Sequence, residues 1–398
     1  MAAISTRARR AVLAVLSMAM VLLSTGARAE DYTTAQAYLH AFDNGVTVYT
    51  GVFALNRDFN LDTSLYFKYN VDLINPDFFS EGGGGGDGDS LSGGSAVAAV
   101  SGASSAVSSG GVSDTRHEIN GGVTHNFDNL FGVEAYVDFS HEQDYNSLTP
   151  SITLTKDLFD KNTTLSFGYS RNIDRISGQF IGSTQSRDTD NFYIGLTQVL
   201  SPVTVAQIGY ARSESRGLMI EGIRLVPLGS VSASTCTVES ATCVDEVAPS
   251  SRSRNSYMAG ISHYYPGDGE SFAARSALKL FFRYYDDDWD ITSYTAEVEW
   301  DKYLDDDLVL GLMYRYYNQS RAFFVKDTYV AGDLYKSASP QLLSFDSHLA
   351  GVRLAYNIPG SSGGKGLRLG TIEGKYQFYT QSIGVNAHVM MASFNLLF

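Results

Sequence analysis

The sequence predicts an all-β fold: a transmembrane antiparallel up-and-down β-barrel of about sixteen strands, with short periplasmic turns and long outer loops. Three observations predict it. After the opening thirty residues the chain is a succession of strand-length segments in which apolar residues alternate with polar ones, and no long helical period interrupts them. Tight and long connections take turns along the chain. The last segment, Val389–Phe398, keeps a period of two to its end, with Met390, Ala392, Phe394, Leu396 and Phe398 on one face. Such a strand has an open edge unless something pairs with it, and pairing with the first strand closes a barrel.

Composition agrees. Tyr (25), Phe (22) and Gly (38) are abundant among 398 residues and Pro (8) is scarce. That mixture suits strands with one greasy face and one polar face. The formal charge is −14, and removing residues 1–29 takes four arginines with it and deepens the charge to −18. So acidic a chain argues against nucleic acid as a partner, because phosphate binding needs a basic surface.

The elements follow in order. Arg7, Arg9 and Arg10 form a positive n-region, Ala11–Leu23 an apolar stretch, and Ala27-Arg28-Ala29 a small-x-small cleavage site. Residues 1–29 therefore read as a cleaved signal peptide and residues 30–398 as the barrel. No later run approaches the ~20 apolar residues of a helical span. Together these place the protein in the outer membrane of a Gram-negative cell.

Tyr32–Ala41 is the first strand, needed as a partner for the last. Asp43-Asn44-Gly45 makes a hairpin turn, since Asn and Gly tolerate positive φ. Val46–Asn56 and Leu61–Leu73 follow. Residues 78–112 are a Gly/Ser/Ala-rich outer loop that cannot bury a core. Strands resume at Arg116–Phe127, Phe131–Glu142, Thr149–Asp157, Thr163–Arg171, Asp190–Leu200 and Val203–Arg212. Residues 217–252 form a second outer loop and hold both cysteines. Asn255–Tyr265, Ala273–Tyr285, Trp289–Lys302, Leu308–Asn318, Phe345–Tyr356, Leu367–Thr380 and Gly384–Phe398 complete the set. Every long connection is expected on the outer side, opposite tight connections such as Asn56/Leu61, Phe127/Phe131, Leu200/Val203, Tyr265/Ala273 and Lys302/Leu308.

The faces carry the chemistry. Leu308, Leu310, Leu312, Tyr314 and Tyr316 share one face of their strand, and Leu278, Leu280, Phe282 and Tyr284 share one face of another. Aliphatics grading into aromatics fit lipid contact with an aromatic girdle. By the same parity Lys279, Arg283, Glu297, Glu299, Arg315, Arg353, Glu373 and Lys375 face inward, with Glu134 and Asp138 on an earlier strand. Two readings of this set stay open: fixed charges that set the ion preference of an aqueous pore, and cross-strand ion pairs that stiffen the wall.

Other motifs are weaker. Asp286-Asp287-Asp288 with Asp290, and Asp305-Asp306-Asp307, suit hard cations but read more simply as solvated turns. Residues 82–90, GGGGGDGDS, match only the opening of a Ca²⁺-binding glycine-rich repeat. Cys236 and Cys243 are expected to form a local disulfide in an oxidising compartment. Seven histidines are scattered without metal-ligand spacing, and no hydrolase, zinc, haem or phosphate-loop motif occurs. No catalytic residue, metal or cofactor is expected.

Arg283-Tyr284-Tyr285-Asp286-Asp287-Asp288-Trp289-Asp290-Ile291 and Tyr314-Arg315-Tyr316-Tyr317-Asn318-Gln319-Ser320-Arg321-Ala322-Phe323-Phe324 resemble the C-terminal half of the bacterial domain of unknown function 3570 family. Phe167-Gly168-Tyr169-Ser170-Arg171, Tyr193–Leu200 and Tyr264-Tyr265-Pro266 extend the resemblance, which covers the chain from about Ala37 to Phe398. It implies an exported outer-membrane barrel and brings no assigned activity. The expected function is a porin-like channel for passive diffusion of small hydrophilic solutes. The alternatives are a surface receptor or structural barrel with a closed lumen and, further off, an outer-membrane enzyme. The expected partners are outer-membrane lipid, lipopolysaccharide and the barrel-assembly machinery that reads the C-terminal strand.

Overall fold

In the computed structural model the last strand pairs with the first. The structure describes residues 32–43, 46–76, 114–127, 131–177, 181–220, 224–229, 236, 240–267, 271–359 and 368–397. The expected signal peptide, the Gly/Ser-rich loop and Phe398 lie outside the described residues.

Nine strands form the first part of the barrel: β1 (Tyr32–Phe42), β2 (Val46–Asp58), β3 (Thr63–Pro76), β4 (Asp114–Phe127), β5 (Phe131–His141), β6 (Tyr145–Leu158), β7 (Thr163–Ile176), β8 (Gln185–Ser201) and β9 (Thr204–Gly217). Two short strands, β10 (Leu225–Pro227) and β11 (Cys243–Asp245), pair with each other outside it. Seven more complete it: β12 (Ser251–Tyr265), β13 (Ser276–Asp287), β14 (Thr292–Tyr303), β15 (Leu308–Gln319), β16 (Phe345–Asn357), β17 (Arg368–Gln381) and β18 (Val385–Leu397). Each barrel strand pairs antiparallel with its neighbours in the chain, and β18 closes on β1 from Tyr32↔Leu397 to Phe42↔Ala387. Met390, Ala392, Phe394 and Leu396 lie opposite Leu39, Ala37, Ala35 and Thr33. The sheet is a closed barrel of sixteen strands. At ~4.8 Å between strands and the usual tilt, sixteen strands enclose a cylinder roughly 30 Å across between backbones.

The outer face explains why such a sheet must close. Ile194, Ile208, Phe167, Phe282 and Met390 are each about half exposed, within a belt of apolar side chains that runs round the barrel. Towards one end the belt turns aromatic: the rings of Tyr210 and Tyr257 stand 5.1 Å apart, Tyr257 and Tyr284 6.0 Å, and Tyr284 and Tyr294 5.2 Å. A belt of this kind fits hydrocarbon bounded by an interface, where an unpaired backbone amide has no water to turn to.

The strand ends differ from the sequence reading at several places. The strands expected at Thr149–Asp157, Thr163–Arg171, Asp190–Leu200, Val203–Arg212 and Asn255–Tyr265 each run four or five residues further toward the loop end, to Tyr145, Ile176, Gln185, Gly217 and Ser251. The ladder there continues past the alternating apolar stretch into polar residues. The strand expected from Trp289 begins at Thr292, because the Asp287 carboxylate accepts the backbone N–H groups of Trp289 (3.0 Å) and Ile291 (2.9 Å) and holds them in a turn. Asp287 also corrects the picture of a solvated acidic turn, since its side chain is fully buried. Loop lengths sort less cleanly than expected. The longest connections, 77–113, 218–250 and 320–344, do share the end away from β1's start. That end also carries tight turns such as 382–384, and the opposite end carries the longer connections 266–275 and 358–367.

Parity along β15 is open to a direct test. Leu312→Arg, on the outer belt, is expected to cost about 2–4 kcal/mol of folding free energy in lipid vesicles. Met313→Arg, the next residue and on the inner face, should cost under about 1 kcal/mol by the same urea titration.

Candidate functional site

Register places the inner face residue by residue. Directly opposed residues share a face, and the pairs Lys279↔Glu299, Glu297↔Arg315, Gly311↔Arg353, Arg353↔Lys375 and Glu373↔Ser393 all lie opposite in parity to the apolar belt. Arg283, opposite Thr295, belongs to the same face. All eight predicted wall residues therefore point into the lumen, on neighbouring strands β13 to β17.

Most of them are joined. Lys279 Nζ donates to Glu299 (3.0 Å) and to Asp301 (2.9 Å). Arg353 donates to the other oxygen of Asp301 (2.6 Å) and to Glu373 (3.1 Å). Arg315 Nε donates separately to Glu297 (2.6 Å). Asp301 is the centre of this chain, and it was missed in the sequence although it shares parity with Glu297 and Glu299. The contact from Arg353 to Asp301 crosses over β15 at Gly311. A Cβ there would stand 2.8 Å from the Asp301 oxygen and 3.0 Å from Arg353 Nε, so only glycine leaves the path open. Arg283 and Lys375 form no ion pair among the described residues.

The wall is wet. The Lys279 side chain remains 44% exposed and those of Glu299 and Arg353 29% and 28%. Exposed pairs of this kind contribute at most about 1 kcal/mol each. They order the side chains more than they stabilise the barrel.

Across the lumen, β3 to β5 present a second charged face: Lys68 and Asp72, Arg116 and Glu118, Glu134, Asp138. Arg116 is shared among Asp72 (3.5 Å), Glu118 and Glu142 (3.9 Å). Glu134 and Asp138 form no ion pair among the described residues. The sequence reading named only these last two. The alternation of Arg116 and Glu118 around His117 carried the signal for the others.

The loop end is partly capped. Trp289, Ile291, Ala322, Phe324, Val325 and Leu342 form a buried cluster with Tyr285 packed against it. Gln319, on the inner face of β15, donates its amide to the carbonyls of Gln341 (2.9 Å) and Leu343 (2.6 Å), which draws the 320–344 loop inward. Arg252 bonds Asp287 (2.8 Å from Nε) and lies 4.4 Å over the Trp289 ring. The 218–250 loop locks onto the same structure. Leu228 bridges Tyr329 and Val247 bridges Lys336, and the buried Glu246 carboxylate accepts from Ser337 Oγ (2.7 Å) and the Ala338 N–H (2.9 Å). Gly217 starts this loop at φ +116°, where any Cβ would strike the Ser186 carbonyl. Cys236 and Cys243 are joined as a disulfide within it. In the exposed part of the 320–344 loop the Lys326 ammonium and the Val330 N–H hold the Asp333 carboxyl below the usual carboxylate range.

The profile of one family, described as "Protein of unknown function (DUF3570)", matches residues 5–183 and 177–397. The chain belongs to this family. The DUF3570 chain matches no curated protein. Among solved structures it is similar to OccK2 (OpdF) of Pseudomonas aeruginosa in complex with glucuronate, at 9% identity and a TM-score of 0.42, covering 94% of this chain and 99% of that one. It is similar to OmpT, an outer membrane protein of Vibrio cholerae in a loop-deletion form, at 11% identity and a TM-score of 0.40, covering 93% and 100%. It is also similar to the ferric enterobactin receptor of Pseudomonas aeruginosa, at 10% identity and a TM-score of 0.41. There the match covers 89% of this chain and only 54% of the receptor.

Glu246 is the joint between the two loops. Glu246→Ala leaves the Ser337 hydroxyl and the Ala338 N–H without this acceptor, a loss of about 1–3 kcal/mol. Limited trypsinolysis after Arg321, Lys326 and Lys336 should then speed up about tenfold or more. The barrel itself should keep its heat-modifiable migration on gels.

Proposed function

We propose that this DUF3570 barrel is a passive outer-membrane pore for small hydrophilic solutes, and not an enzyme. The observation that carries the reading is the inner wall of β13 to β17, where charged side chains remain in contact with water. A lumen lined this way suits an aqueous path, and sixteen strands are wide enough to hold one. In this reading the end where β1 starts faces the periplasm and the long loops face outward. Residues 1–29 serve as the export signal, and β18 is the strand read by the barrel-assembly machinery. The Tyr210, Tyr257, Tyr284 and Tyr294 girdle meets outer-leaflet lipid and lipopolysaccharide.

The capped mouth favours a second reading, a surface receptor whose loops bind a partner over a closed lumen. One measurement separates the two. The purified protein in a planar bilayer should give discrete conductance steps, and deleting residues 321–343 should raise the unit conductance about twofold or more by widening the mouth. A silent membrane with the full chain, and steps only after the deletion, would assign the barrel to the receptor reading.

A further inference from the structure

The two inner walls differ in sign at mid-height. β5 stands eight strands from β15 in either direction round the barrel, so the two are diametrically opposed. β13 and β17 flank β15, each two strands away. Asp138, Arg283 and Lys375 are each the eighth residue of β5, β13 and β17, counted from the end where β1 starts. They therefore lie at one level of the lumen. On β5, Asp138 and, two repeats of the pleat below it, Glu134 have no ion-pair partner among the described residues. On the facing wall the same holds for Arg283 and Lys375.

The surrounding charges reinforce the contrast. Five acids, Asp72, Glu118, Glu134, Asp138 and Glu142, stand with two bases, Lys68 and Arg116, on the β3–β5 side. On the β13–β17 side Glu297, Glu299, Asp301 and Glu373 are each bonded to Lys279, Arg315 or Arg353, and Arg283 and Lys375 are left over.

We infer that the lumen selects small zwitterions, solutes carrying an ammonium at one end and a carboxylate at the other. This inference rests on the pore reading and names its solute class. With roughly 7 Å of side chain on each wall, the clear path is on the order of 15 Å. Water within it is bounded by low-dielectric walls, which focus the field between the two faces. A simple cation or anion is drawn to one wall and repelled by the other. A dipolar solute turns across the lumen and is stabilised by both faces, so it partitions into this level of the lumen without net charge on its side. The ion-paired residues contribute less to this: four acids, Glu297, Glu299, Asp301 and Glu373, share three bases, Lys279, Arg315 and Arg353, so that set carries one net negative charge against the two positive charges of Arg283 and Lys375.

Swelling of proteoliposomes holding the full chain tests the inference, with 5-aminopentanoate and an uncharged hydroxy-amide of equal length as probes. The zwitterion should enter about threefold faster or more. Glu134→Gln with Asp138→Asn, and separately Arg283→Gln with Lys375→Gln, should each bring the ratio of the two rates towards one. If a double variant fails to fold by heat-modifiable migration, Asp138→Asn and Lys375→Gln alone carry the comparison. Equal entry of both probes into vesicles with the unaltered protein, or an unchanged ratio in the variants, overturns the inference and leaves the pore reading standing. No swelling with either probe overturns both.

Discussion

The pairing of β18 with β1 is the constraint on which the rest of the structure depends. A sheet whose outer face is Leu, Ile, Phe and Val cannot keep an open edge in hydrocarbon, because each unpaired N–H or C=O there costs several kcal/mol. Closure removes the edge. It also fixes an even number of antiparallel strands, and so puts the start of β1 and the end of β18 at one end. From that follow the side on which each loop falls and the face to which each side chain turns. The weak-looking segment Tyr32–Phe42 is a strand because β18 needs it. Its own pattern, with Thr33, Thr34, Gln36 and His40, would not demand one.

Closure by itself does not fill a cylinder of this width. The inner wall is built from polar side chains that lie along it and bond sideways. Arg353 reaches Asp301 over Gly311, and Tyr193 lies over Gly209 with its ring 3.1 Å from where a Cβ would stand. Glycines at these points keep the wall thin where long side chains cross it. The two readings of the wall charges therefore divide by residue. Lys279, Glu299, Asp301, Arg353 and Glu373 brace one another, as do Arg315 and Glu297. Arg283 and Lys375 are not braced in this way, nor are Glu134 and Asp138 across the lumen.

Much of this was legible in the sequence because a period of two and a parity are local. Sixteen strands, their order and the inward set from Lys279 to Lys375 all follow from alternation and turn residues. Strand ends were less legible. Trp289 and Ile291 continue the alternation of their strand, yet the Asp287 carboxylate captures their amides and they become part of a core. Side-chain capture of a backbone donor competes with the ladder and leaves no periodic trace. The cap was illegible altogether. Glu246 meets Ser337 across 91 residues of chain, and nothing near either residue announces the other.

The cap and the mid-lumen charges occupy different levels and use different residues, and that separation has a functional consequence. At the rim Asp287 is fully committed: it accepts from Arg252, from Tyr285 (2.6 Å) and from two backbone amides, and the Trp289 ring is packed beneath the Arg252 guanidinium. A charge so fully bonded in a buried place holds structure and offers little to a passing solute. Lower down, Lys279, Glu299, Arg353 and Glu373 keep water contact, and Glu134, Asp138, Arg283 and Lys375 form no ion pair among the described residues. In a pore built this way the rim decides how wide the entrance is, through the packing of two loops. The middle decides what crosses, through charges carried by the strands themselves. Changes in the loops should therefore alter the amount of flow without altering its selectivity. Changes at Asp138 or Lys375 should do the reverse.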